Sequence, residues 1–137
     1  MPIMAMQHDV DPAKDIWKRV GDTPNIDVFG THVLVAIYMR PEVTGGGLYL
    51  PQQYRDEDKY QSKVGLIIKM GKKAFVEPEQ KWFDGEKFDL GDWVVFRPSD
   101  GWDLTLPSTK PGDNGIKCRL LSDTSVRGRV QHPDHVW

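Results

Sequence analysis

Apolar residues in this chain recur mostly in short alternating runs closed by glycine, proline or charged residues. That is the period of half-buried strands. Val33 to Met39 predicts one: Val33, Val35, Ile37 and Met39 share a face, and Leu34 and Tyr38 keep the other face apolar. Val64 to Met70 predicts a second, stopped by Gly71. Trp93 to Phe96 follows the tight turn Leu90-Gly91-Asp92, Trp102 to Leu106 is a further candidate strand, and Ile116 to Leu121 is the last clear one. Ser122 to Val130 reads as a short helical turn and an edge strand, with a tail from Gln131 to Trp137. Between the second and third strands lies a polar excursion, Lys72 to Leu90. Its centre, Lys81 to Phe88, has the form of a hairpin turning at Asp84-Gly85.

One stretch departs from this period. Ala13, Ile16, Trp17 and Val20 follow helical spacing between Asp11, a capping residue, and Gly21, a terminator, with Pro12 at the first helical position. A helix of about three turns is marginal alone, so its apolar face must dock. It can dock on its own domain, or on a partner or neighbouring subunit.

Glu42 to Ser62 fits neither period. Gly45-Gly46-Gly47 leads into the apolar triplet Leu48-Tyr49-Leu50 and Pro51, and a polar run containing Arg55-Asp56-Glu57-Asp58-Lys59 follows. The triplet alternates like a strand with Leu48 and Leu50 facing a core. In its glycine-rich and charged setting it also reads as an adhesive tip on a long functional loop. Burying three such side chains yields roughly 5–8 kcal/mol gross. Fixing glycine-rich backbone costs about 1–2 kcal/mol per residue. A single loop therefore binds weakly, and tight binding requires several loops on one oligomer.

Composition agrees with the strand reading: 13 Val and 7 Ile against 4 Ala, with 23 Gly and Pro together. The 137 residues suit one domain with appendages. A net charge of −2 argues against a nucleic-acid binder, and no apolar run is long enough for a membrane helix. The N-terminus lacks the basic-then-apolar pattern of a secretory signal, so the expected compartment is cytoplasmic. Candidate chemistry is sparse. Cys118 sits in a strand pattern and reads as a packed thiol. His132 and His135 flank a proline without a ligand cluster, so no metal is expected. The glycine run is not followed by Lys-Ser or Lys-Thr, so it is not a phosphate loop, and no G-x-S-x-G elbow occurs. The expectation is a non-enzyme without cofactors.

The order of motifs is more specific than any one of them. Thr31-His32-Val33-Leu34-Val35 precedes the long loop with Gly46-Gly47-Leu48-Tyr49-Leu50-Pro51. Gly65-Leu66-Ile67-Ile68-Lys69-Met70-Gly71 and Leu90-Gly91-Asp92-Trp93-Val94-Val95-Phe96 follow, and Leu120-Leu121-Ser122-Asp123 with Val126 closes the series. Over residues 30–130 this resembles the GroES-type co-chaperonins.

The resemblance implies a small irregular GroES-like β-barrel with a mobile loop and a roof hairpin, the latter at Lys72 to Asp89. It implies a homo-oligomer, a heptameric dome, capping a GroEL-type chaperonin ring that binds and hydrolyses the ATP itself. The cap closes a chamber for a client protein, with no nucleic acid or membrane as partner. Leu48, Tyr49 and Leu50 would contact the chaperonin, and Gly46 and Gly47 would let the loop turn. The chain divides accordingly into an N-terminal extension with the helix (1–29), the GroES-like domain (30–130) and a C-terminal tail (131–137). Several features depart from the family: the extension, the tail, the bulky Tyr49, five Trp, and the Pro107 to Gly115 connection. Such divergence suits a virus-encoded member. The alternative is a non-chaperone structural protein on the same fold, such as a phage virion decoration or assembly subunit, whose helix and loop grip neighbours permanently. The GroES-like domain of zinc alcohol dehydrogenases fits poorly, since the cysteine ligands and a nucleotide-binding half are missing.

Overall fold

A computed structural model describes residues 11–21, 26–39, 62–76, 86–109, 111–112 and 115–136. Its elements in chain order are helix α1 (Pro12–Val20) and strands β1 (His32–Ile37), β2 (Val64–Met70), β3 (Trp93–Val95), β4 (Trp102–Leu106), β5 (Ile116–Ser122) and β6 (Gly128–Val130). Short 3-10 turns stand at Asp123–Ser125 and Pro133–His135. The strands form one six-stranded antiparallel sheet in the order β4-β5-β1-β2-β3-β6. The sheet is not closed: β4 and β6 are its two edges among the described residues. Among the described residues the protein is thus a small, β-rich fold with one short helix.

Alternation within the strands builds two cores, one on each face. Leu34, Ala36, Tyr38, Val64, Leu66, Ile68, Trp93, Ile116 and Cys118 form the first. Val33, Val35, Ile37, Ile67, Val94, Phe96, Leu121 and Val126 form the second. The β1–β2 register slips by one residue between Leu34 and Val35, where Leu34 pairs with Lys69 but Val35 with Ile67. This bulge leaves Ile68 without a register partner on β1.

The helix docks on its own sheet. Ile16 and Val20 are buried in the first core, with Ala13 and Trp17 packed against it. Asp11 accepts a hydrogen bond from the Lys14 amide at 3.3 Å. Gly21, at φ 81°, closes the helix by donating to the Trp17 carbonyl at 2.9 Å. Last-turn carbonyls ordinarily lack partners. Here Thr109 supplies them, its amide donating to Arg19 O at 2.8 Å and its hydroxyl to Lys18 O at 2.7 Å. The Arg19 guanidinium returns a bond to Gly115 O at 2.9 Å. The Pro- and Gly-rich connection between β4 and β5 therefore latches the helix down.

Candidate functional site

The sequence-predicted contact residues Gly46, Gly47, Leu48, Tyr49 and Leu50 lie outside the described residues. The fold does define where their segment begins and ends. The Tyr38 amide donates to Val64 O at 3.0 Å, and the Ser62 hydroxyl donates back to Tyr38 O at 3.0 Å. Both residues are buried, at 2% exposure each. Residues 40–61 therefore leave and re-enter the sheet through one buried clasp.

The C-terminal tail reinforces the clasp. The Tyr38 phenol donates to the Asp134 carboxylate, and its ring meets Trp93 edge-on at 5.8 Å. The Asp134 amide donates to His132 Nδ1 at 3.1 Å, and Pro133 is buried beside them. Three distant stretches of chain converge on the point from which the segment departs. The hydroxyl, phenol and carboxylate hydrogen-bond to backbone or to one another in the interior, an arrangement that holds chain in place.

The polar excursion after β2 has a base of the same kind. Phe75 and Phe88 stack with ring centroids 4.3 Å apart. Phe75 is held at φ 62°, an uncommon conformation for an aromatic residue, and its amide donates to the Asp123 carboxylate at 3.0 Å. Across the stack, Arg129 donates to Lys87 O at 2.6 Å and to Glu86 at 3.0 Å, with its guanidinium 4.9 Å from the Phe88 ring centroid. Residues 86–89 are not strand. The turn of the expected hairpin, Asp84-Gly85, lies outside the described residues.

Cys118 is fully buried, and burial pushes its thiol up to about 12. It is a protonated, packed group at neutral pH. The rings of His132 and His135 lie 5.8 Å apart. Among the described residues no cluster of His, Cys, Asp or Glu is arranged to hold a metal ion, and no helix is long and apolar enough to cross a membrane.

Reading along the sequence did not find the clasp. Tyr38 looked like a strand residue, Ser62 like the end of a polar run and Asp134 like tail. Their partnerships span 24 and 96 residues, beyond the reach of local pattern.

The chain matches no protein-family model and no curated protein.

Proposed function

We propose that this protein is a co-chaperonin of the GroES type, capping a chaperonin ring through Leu48-Tyr49-Leu50. The observation that carries the reading is the clasp. A segment of chain with an apolar triplet at its middle departs from and returns to one buried point, Tyr38–Ser62, on a packed sheet. A rigid base lets an adhesive segment reach outward without disturbing the fold beneath it. The ordered motifs from Val33 to Val126 agree, since they coincide with β1, β2, β3, β5 and the turn after it. On this reading the apolar face bearing Val33, Val35, Ile37, Ile67, Val94, Phe96, Leu121 and Val126 is the side that lines the GroES-like barrel. On this reading the protein works as a ring, a heptamer in the family pattern, in the cytoplasm. The chaperonin supplies ATP hydrolysis, and a client protein folds in the closed chamber. The rival reading, a permanent structural subunit, rests on the N-terminal helix and the aromatic tail being free to grip neighbours. The apolar face of α1 is instead engaged with its own sheet.

Mixing the protein with a chaperonin and ATP tests the proposal by electron microscopy and client refolding. A capped complex is expected, and Leu48→Ala with Leu50→Ala should abolish it while the ring persists. Normal oligomers that never cap would overturn the reading. So would a double variant that unfolds, because the triplet would then be core.

A further inference from the structure

The two edges of the sheet are unlike. Exposed edges invite pairing with other chains, and proteins blunt them with short strands and charge. The β6 edge is blunted: it is three residues long, carries Arg129, and runs into the turn that begins at Pro133. The β4 edge is five residues, Trp-Asp-Leu-Thr-Leu, with neither lysine nor proline. Its one charge, Asp103, is tied to Arg119 at 2.8 Å. Trp102 is 65% exposed and stacks on His32 at 6.2 Å, while His32 Nδ1 lies 3.2 Å from the carbonyl oxygen of Phe29, itself 76% exposed. Trp102 thus meets solvent, with Leu104 and Leu106 half-buried against the first core on the same strand, where strand backbone is paired on one side among the described residues.

We infer that β4 pairs antiparallel with β4 of a second copy of this chain. The argument rests on self-complementarity. About a twofold axis at Leu104, Trp102 falls opposite the second copy's Leu106, and Leu104 opposite its own equivalent. Asp103 falls opposite Thr105. No like charges meet, and the three apolar side chains of each strand share one face, because strand side chains alternate. The same operation on β6 would set Arg129 against Arg129, a destabilising juxtaposition. The contact is isologous and joins copies two by two, whether each is alone or already in a larger ring. It does not depend on the co-chaperonin reading.

Sedimentation of the full chain over a concentration series, with a spin label at Thr105→Cys, tests the inference. Thr105 is exposed, and native Cys118 is too buried to take the label. The expected result is a doubling of the smallest species' mass with rising concentration, accompanied by dipolar broadening between labels. Trp102→Lys, which puts a charge on the apolar row, should lose both. Association without broadening, association unchanged in Trp102→Lys, or no doubling at any concentration would each overturn it.

Discussion

Arg119 is the buried charge that holds the turn between β3 and β4 against β5. It is 3% exposed, donates to Asp103 at 2.8 Å, and also bonds the carbonyls of Pro98 and Asp100, the latter at 3.3 Å. The turn it holds lies tight against β5: a side chain at Gly101 would meet Leu120 O at 2.3 Å. Replacing Arg119 by Ala removes the donor from all three acceptors. Asp103 is 44% exposed and rehydrates, so its share is under about 1 kcal/mol. The two half-buried carbonyls lose about 1 kcal/mol each. The vacated side chain, whose guanidinium lies 5.9 Å from the Phe96 ring centroid, adds about 1 kcal/mol. The expected loss is therefore about 3 kcal/mol, or on the order of 10 °C in Tm for a chain this size. Urea unfolding followed by tryptophan fluorescence measures it. The internal comparison is Arg97→Ala. Arg97 bonds Asp100 in the same turn at 3.1 Å, but its side chain is 67% exposed, so the expected loss is under about 0.5 kcal/mol. Equal losses from the two variants, or less than about 1 kcal/mol from Arg119→Ala, would refute the claim that the buried guanidinium holds the turn.

Three further outcomes follow from the packing. At Gly71 an added Cβ would lie 2.3 Å from Gly30 O, so Gly71→Ala should lower the urea midpoint strongly. Gly128→Ala, whose nearest neighbour would be at 3.8 Å, should leave it nearly unchanged. Tyr38→Phe removes the phenol donor to Asp134 and should cost about 1.5–3 kcal/mol, with faster protease cleavage within residues 40–61 as a second readout. Burial raises the Cys118 thiol from 9.0 to about 12, so the folded state keeps a proton that the unfolded chain releases. The associated stability is complete below pH 9.0 and is lost toward pH 12 at about 1.4 kcal/mol per pH unit. Cys118→Ala should flatten that slope in paired unfolding curves at pH 8 and pH 10.

Local elements were legible in the sequence wherever a single period governed them. The helix lies between Asp11 and Gly21 because a cap, a first-position proline and a terminator are each local devices. The strand over Val64–Met70 has the predicted bounds, closed by Gly71. The first strand ends at Ile37 rather than Met39: the Tyr38 amide still bonds Val64 of β2, but its carbonyl is taken up by the Ser62 hydroxyl. The β1–β2 bulge was not legible either, since one extra residue in a pairing leaves no trace in either strand alone.

The sequence by itself determined the strands, the helix, their order, and an apolar triplet between glycines and charges. Each follows from neighbours within a turn or a strand's length. Only the tertiary structure decided where α1 docks, what the tail does and how the long segment is anchored. It also decided that the sheet ends in one blunted edge and one open edge. Those outcomes rest on contacts between residues up to 96 apart, such as Arg19 with Gly115 and Tyr38 with Asp134. Hydrogen-bonding capacity is written in each side chain, but the choice of partner is made only when packing the two faces of the sheet brings distant stretches together.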